Sequence, residues 1–206
     1  MDVILSNLRG DAQECEVLVS GFFEDERPLR GASGWLDWRL NGLLSCCLIE
    51  NRLVGTWKET TLIPSQGRIV PSFILLVGLG KLREYSYPRL RDLCPFLLET
   101  LGRLRVSKVC FCLPEDERHQ VEPAKLAEIL MEGIADTAET LPFPGGREWV
   151  KGLQPVFARE EGDLSEILLG LQTAQSILRD RINIRILTVS EKGNAPSMTQ
   201  RDVKAN

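Results

Sequence analysis

The chain has 206 residues, of which 43% are hydrophobic and 26% charged, a composition typical of a globular domain and not of a disordered chain. Its formal net charge of −4 argues against nonspecific nucleic-acid binding, which requires a surplus of Lys and Arg to neutralise phosphates. A domain of this length buries most of its surface on folding, so neither disulfides nor a structural metal ion is needed for stability.

The amino terminus has no basic segment followed by a long apolar one, so we expect no signal peptide. The longest apolar run, residues 73–77, is too short to cross a bilayer. We therefore expect a cytoplasmic protein without membrane contact, whose cysteines are reduced thiols, most of them in apolar segments. The six cysteines are Cys15, Cys46, Cys47, Cys94, Cys110 and Cys112.

The first elements in chain order are a strand, a helix and a second strand. Residues 16–23 form a β-prone run, and apolar residues then recur at steps of three and four over residues 35–47, which predicts one helix. Gly42 within it costs about 1 kcal/mol relative to Ala, which suggests that something packs closely there. Residues 60–63 predict a strand that ends at Pro64.

Residues 68–77 are the strongest strand candidate, with Pro71 expected at its edge. Their apolar stretch is continuous and not alternating, which indicates burial on both faces of a largely parallel sheet. The following segment, residues 88–104, predicts a helix with Pro88 in its first turn. Pro95 removes a backbone hydrogen bond, so we expect a kink there or two shorter helices.

The second half continues this alternation. Residues 106–113 predict a buried strand and residues 125–137 a helix; residues 149–158 predict a strand weakened by Gly152 and Pro155. A long amphipathic helix is predicted over residues 165–181, capped by Asp163 or Ser165, and residues 182–189 predict the last strand. The apolar stripe of that helix is Ile167, Leu168, Leu171, Ala174, Ile177 and Leu178.

Alternating strands and helices predict an α/β three-layer sandwich, with a mixed, mostly parallel sheet between helices. We interpret residues 1–188 as one domain and residues 189–206 as a polar, flexible tail.

Five phrases, in this order and spacing, resemble the amino-terminal domain of the leucyl aminopeptidase family. They are SGFFED (20–25), LDWRLNGLL (36–44), GTWKETTLIP (55–64), ILLVGLGK (74–81) and LRDRIN (178–183). The resemblance covers about residues 14–183 and implies a macro-domain-like fold.

The resemblance also implies where the family's chemistry lies, which is in a two-metal centre of a carboxy-terminal domain. Family phrases similar to NTDAEGRL and TFDSGG do not occur here, Ile184 stands where the family usually has Pro, and 23 residues follow Asn183. A two-metal hydrolase needs carboxylates that bridge both ions, and no such set can be assigned. We therefore expect no catalytic residue, no metal and no cofactor.

One candidate ligand site is the turn of Gly78, Leu79, Gly80 and Lys81. Backbone N–H groups after a strand can hold phosphate, with the Lys as a point charge. The spacing matches neither GxGxxG nor GxxxxGK[ST], so we favour a tight strand exit over a phosphate site.

Thiols and the single histidine supply weaker candidates. Cys110 and Cys112 are two apart on a predicted strand and should face the same side. Without a second CxxC or a nearby His, core packing is favoured over a zinc or redox pair, and the same holds for Cys46–Cys47. His119 follows Glu115, Asp116 and Glu117, where a solvated loop is favoured over a cation site. No GxSxG nucleophile elbow occurs.

Trp35 and Trp38 are three apart and should share one side of a helix, either as a partner-binding patch or as core, with Trp35 favoured as core.

The leading functional hypothesis is a non-catalytic interaction or regulatory module that self-associates or binds a partner protein. The alternative is a nucleotide- or ADP-ribose-type ligand near Gly78–Lys81, although fold does not imply function. A DNA-binding accessory role, which the resemblance allows, is disfavoured by the net charge.

Overall fold

A computed structural model describes residues 1–114, 121–159 and 164–189. The predicted loop with His119 and most of the predicted tail lie outside the described residues. These residues contain seven strands, which are β1 (Asp2–Ser6), β2 (Val17–Phe22), β3 (Thr60–Pro64), β4 (Phe73–Gly78), β5 (Lys108–Cys112), β6 (Gln154–Ala158) and β7 (Arg185–Val189). The α-helices in the described residues are α1 (Gly31–Arg39), α2 (Leu43–Ile49), α3 (Tyr87–Arg103), α4 (Pro123–Thr137), α5 (Gly146–Gly152) and α6 (Leu164–Leu178).

All seven strands form one sheet in the order β3-β4-β2-β5-β6-β1-β7. Every neighbouring pair is parallel except β3 and β4, which are antiparallel. At the centre of the sheet, Leu18 pairs with Ile74 on one side and with Cys110 on the other. The predicted mixed, mostly parallel sheet is confirmed. All six residues of β2 are buried, as expected for a central strand that is covered on both faces.

Helices cover the two faces of the sheet and make two separate apolar cores. On one face, Leu36 and Leu44 of α1 and α2 pack over Leu18 and Ile74. On the other face, α3, α4 and α6 bury a larger core that includes Leu93. The three-layer architecture predicted from the sequence is thus confirmed.

The single helix predicted over residues 35–47 is wrong, because α1 and α2 are separate. Asn41 and Gly42 have φ values of 56° and 77°, in the left-handed region that ends a helix. The Asp37 carboxylate then accepts the N–H groups of Leu44 and Ser45 at 2.8 and 3.0 Å and so caps α2. A Cβ at Gly42 would meet nothing within 4 Å, so this glycine is required by its backbone conformation and not by close packing.

Of the two outcomes predicted at Pro95, the two shorter helices are wrong, since α3 continues through it as one helix of 17 residues. The kink stays a prediction. Pro95 and Arg91, whose carbonyl group loses its helical donor, are both exposed, so water can satisfy that carbonyl group. The buried face of the same helix is uninterrupted through Leu93, Leu97 and Leu101.

Two strands begin later than predicted, because the apolar pattern of each continues into the helix or loop that precedes it. The predicted strand 149–158 is helix α5 followed by β6, which begins only at Gln154. The predicted strand 68–77 begins at Phe73, so Pro71 precedes it. Strand β1 was not predicted.

Helix α6 differs from the prediction at both ends. Asp163 lies outside the described residues, and Ser165 is the second residue of α6, so it is not the N-cap residue. Ile177 was placed on the apolar stripe but is 56% exposed, whereas the next residue, Leu178, is 2% exposed. The buried stripe passes through Leu171, Ala174 and Leu178 at steps of three and four, and Ile177 lies beside it on the helix surface. In the described part of the chain, no helix combines the length and apolarity that crossing a membrane requires.

Candidate ligand-binding cavity

A cavity of about 380 Å³ opens at the carboxyl ends of the central strands. The chain passes from β2 to α1 on one face of the sheet and from β5 to α4 on the other, although β2 and β5 are neighbours. Such a point, where adjacent strands connect to opposite faces, leaves a crevice in which α/β proteins bind ligands. The volume lies within the range of small-molecule sites.

The walls of the cavity come from both layers of helices. Leu36 of α1 and Cys112 of β5 line it on one face of the sheet, and side chains of α4 and α6 line it on the other. The apolar side chains on the α4 side are Phe111, Leu126, Leu130, Phe157 and Ile167. The cavity can therefore take an apolar or aromatic group without leaving a polar group unpaired.

A buried carboxylate lies at the rim of this cavity. The Asp11 side chain is only 7% exposed, and its carboxylate is 3.1 Å from the Arg9 Nε atom and 3.7 Å from the Arg39 Nε atom. Burial of a charge is costly unless it is paired, so the two guanidinium groups account for the position of Asp11. Arg39 Nε is buried and has no hydrogen-bond partner within the described residues.

Trp35 holds both arginines in place. The Arg9 guanidinium carbon lies 3.7 Å from the centroid of the Trp35 ring, and that of Arg39 lies 4.6 Å away. These distances fit cation–π contacts. Trp35 is half-buried in the cavity wall and is not part of either core cluster, whereas Trp38 is 70% exposed. The rim thus presents two cations and one anion within a few ångströms.

The first turn of α1 is anchored to the end of β2. The Ser33 hydroxyl group donates to the Gly21 carbonyl group at 2.5 Å and lies 3.1 Å from the Ser20 hydroxyl group. A Cβ at Gly34 would overlap the Leu29 carbonyl group, so this glycine lets the preceding loop lie against the helix. Both contacts fix the wall formed by residues 29–36.

The Gly78–Lys81 turn begins at the last residue of β4, and none of its four residues lines the cavity. The N–H groups of Gly78, Leu79 and Gly80 donate to the carbonyl groups of Glu59, Phe22 and Gly55 at 2.8–2.9 Å. A phosphate bound at this turn would have to displace these hydrogen bonds. In a preformed phosphate loop the backbone N–H groups point freely at the ligand. The phosphate role of this turn stays a prediction.

The cysteine pair faces one side of β5, as predicted. The sulfur atoms of Cys110 and Cys112 are 3.8 Å apart. The hydrogen bond with Cys112, together with complete burial, raises the pKa of the Cys110 thiol well above its ordinary value. Among the residues that the structure describes, no three His, Cys, Asp or Glu side chains cluster closely enough to hold a metal ion.

Sequence reasoning missed the rim segment of Arg9, Gly10 and Asp11. The available signal was the apolar run Val3–Leu5 followed by a Gly–Asp turn, which is typical of a short strand and its exit. The contact of this turn with α1 joins segments about 25 residues apart, and only the fold brings them together.

A comparison with protein families matches residues 19–140 to the cytosol aminopeptidase family, N-terminal domain. The probable cytosol aminopeptidase of Alkaliphilus metalliredigens is 22% identical over 98% of this chain and 40% of its own length. That of Synechocystis is 30% identical over 58% of this chain and 24% of its own length. The chain thus spans two fifths or less of these two relatives.

Solved structures share the fold at low sequence identity. A tomato leucine aminopeptidase mutant matches with a TM-score of 0.57 and 15% identity, over 86% of this chain and 37% of that one. The Trypanosoma brucei macrodomain in complex with ADP-ribose matches with a TM-score of 0.60 and 13% identity, over 83% of this chain and 68% of that one. Together with the family match, these similarities establish that the chain belongs to the cytosol aminopeptidase family and corresponds to its amino-terminal, macrodomain-like domain.

Proposed function

We propose that this chain is a non-catalytic recognition module that binds a small ligand in the cavity between the carboxyl ends of β2 and β5. The observation that carries the proposal is the position of the cavity, at the one crevice where these neighbouring strands connect to opposite faces of the sheet. Its apolar walls and its charged rim supply the two kinds of contact that small-molecule sites combine.

The proposed ligand class is a nucleotide-type molecule with an anionic group. Arg9 and Arg30 line the cavity and can supply guanidinium donors, and Arg39 lies behind the rim beside Asp11. The apolar wall beneath them suits a flat ring. The T. brucei macrodomain of the same fold is described in complex with ADP-ribose, which makes ADP-ribose the first ligand to test. We place it in the cavity and not at Gly78–Lys81, whose N–H groups are engaged.

Calorimetric titration of the purified chain with ADP-ribose tests this proposal. We expect saturable binding by the wild-type chain, and Arg9→Ala should weaken it by about tenfold or more, since hydrogen bonds to charged groups contribute about 1.5–3 kcal/mol. Leu126→Trp, which fills the cavity, should abolish binding. The matched control Lys81→Ala should bind as the wild type does. Loss of binding in Lys81→Ala alone would move the site to the turn.

The non-catalytic part of the proposal concerns peptidase activity. The family's two-metal phrases have no counterpart in this sequence, and a two-metal mechanism needs their carboxylates. We expect the chain alone not to hydrolyse leucine-p-nitroanilide with added Mn²⁺ or Zn²⁺. A rate that scales with protein concentration and disappears with a chelator would contradict this.

A second candidate function is self-association or partner binding through α1 and α2. Trp38 and Ile49 on these helices are 70% and 80% exposed, and Leu43 is 38% exposed, so both helices present large apolar side chains to solvent. Light scattering should then give a mass above that of the monomer, and Trp38→Ser should return it to the monomer. A monomer at every concentration would remove self-association.

A further inference from the structure

A thiol lies in the wall of the cavity. Cys112 lines the cavity and is partly exposed, and the fully buried Cys110 is its neighbour on the same face of β5, with 3.8 Å between the sulfur atoms. Gly10 lies against the same thiol, because a Cβ at Gly10 would overlap the Cys112 sulfur atom. With backbone on one side and Cys110 on another, the open direction for Cys112 is the cavity.

We propose that Cys112 is a covalent modification site, at which small disulfides of the oxidised-glutathione class form a mixed disulfide inside the cavity. The Cys112 thiolate attacks one sulfur atom of the disulfide, a new S–S bond forms, and the original S–S bond breaks. The leaving thiolate takes up the proton that Cys112 released. The small disulfide is the oxidant and is itself reduced to one free thiol, so no further reagent is needed.

The other described cysteines differ from Cys112 in reactivity or in position. Burial raises the pKa of Cys15 and of Cys94 to about 12, and Cys47 is buried. At pH 8 a thiol with such a pKa is ionised to roughly one part in ten thousand, and the thiolate is the nucleophile. Cys46 is exposed on α2, outside the cavity lining, and will react as a surface thiol.

The mixed disulfide should persist and not pass to Cys110. Two residues along a strand separate Cα atoms by about 6.6 Å, at the upper end of the range for disulfides. Although the two sulfur atoms are 3.8 Å apart, the Cys110 thiol would have to attack the mixed disulfide as a thiolate, and its hydrogen bond with Cys112 and its burial raise its pKa well above the ordinary value. Formation of an internal Cys110–Cys112 bridge should therefore be slow, so the adduct remains in the cavity.

The experiment uses the complete chain carrying Cys46→Ser, so that the exposed thiol does not obscure the result. The reduced protein is incubated with oxidised glutathione at pH 8, and intact mass and peptide mapping locate the adduct. We expect one adduct at Cys112, at least about tenfold more abundant than any at Cys15, and reversed by dithiothreitol. Cys46→Ser/Cys112→Ser should remain unmodified.

The result that overturns the proposal is a folded Cys46→Ser protein whose Cys112 stays free while urea-unfolded protein is modified there. Mapping in the Cys46→Ser protein decides this even if the Cys112→Ser variant fails to fold. The proposal rests on the cavity and not on its ligand. If saturating ADP-ribose leaves the rate at Cys112 unchanged, ligand binding in the cavity fails and the thiol proposal stands.

Discussion

The glycine that begins the Gly78–Lys81 turn should be required for stability and not for phosphate binding. A Cβ at Gly78 would overlap the Thr56 carbonyl oxygen and lie 2.8 Å from the Gly55 carbonyl carbon. Both neighbours are backbone atoms, so they cannot rotate away as a side chain would. Gly78→Ala must therefore push the segment of residues 55–58 away from β4.

That displacement breaks or weakens two hydrogen bonds. The Gly78 N–H group donates to the Glu59 carbonyl group at 2.8 Å, and the Lys58 N–H group donates to the Gly78 carbonyl group at 2.9 Å. Overpacking costs about 1–3 kcal/mol, and each lost hydrogen bond about 0.5–1.5 kcal/mol. We expect Gly78→Ala to lower the free energy of unfolding by about 2–6 kcal/mol.

Urea denaturation followed by circular dichroism measures the difference, with Lys81→Ala as the matched control. Lys81 is exposed at the other end of the turn, so its substitution should change the free energy of unfolding by no more than about 0.5 kcal/mol. The reasoning is refuted if Gly78→Ala unfolds at the same urea concentration as the wild type. It is equally refuted if Lys81→Ala is the less stable variant.

Two further predictions concern packing and pH. Gly170→Ala places a Cβ over the Ala124 carbonyl group, where α6 meets α4, and should lower the free energy of unfolding by about 1–3 kcal/mol. The control Leu169→Ala, at an exposed neighbouring position, should change it little. Equal melting temperatures of the two variants would contradict the close approach of α6 and α4. Burial alone would raise the pKa of Asp136, but hydrogen bonds from Arg181 and Arg91 hold it below 3.8. The wild type should therefore be more stable than Asp136→Asn at pH 7, by about 1 kcal/mol or less because the ion pairs are partly exposed. This difference in the free energy of unfolding should shrink as the pH falls below 3.8, because the carboxylate becomes protonated. A difference that grows as the pH falls would contradict the role of the two arginines.

Much of the sheet could be predicted because its strands are buried on both faces. The continuous apolar runs of β4 and β5 indicate central parallel strands without any knowledge of their neighbours. The same logic fails for β1, whose first four residues alternate between partly exposed and buried positions. Its partners, β6 and β7, come more than 140 residues later in the chain.

The helix break at Gly42 shows why spacing alone misleads. Apolar residues continue at helical steps on both sides of Asn41–Gly42, because α1 and α2 pack on the same core. The break is local, in two left-handed residues and the Asp37 cap, and an Asn–Gly pair is a turn signal that the spacing concealed.

The cavity could not be predicted from any single motif. Its rim joins Asp11 to Trp35, and its wall joins Cys112 to Leu126 and Ile167. These residues come from separate segments that meet only because β2 and β5 are adjacent in the sheet while their helices lie on opposite faces. The resemblance to a family indicated the fold, but the position of the candidate cavity follows from the strand order.

Chemical-shift mapping by NMR tests the central claim most directly. With ADP-ribose added to isotopically labelled protein, we expect the backbone amide signals of Gly10, Gly21 and Ala32, which line the cavity, to move in a saturable way. The signals of Gly78 and Gly80 should stay in place. Saturable shifts confined to the Gly78–Lys81 turn, or none at millimolar ligand, would contradict our assignment of the cavity as the recognition site.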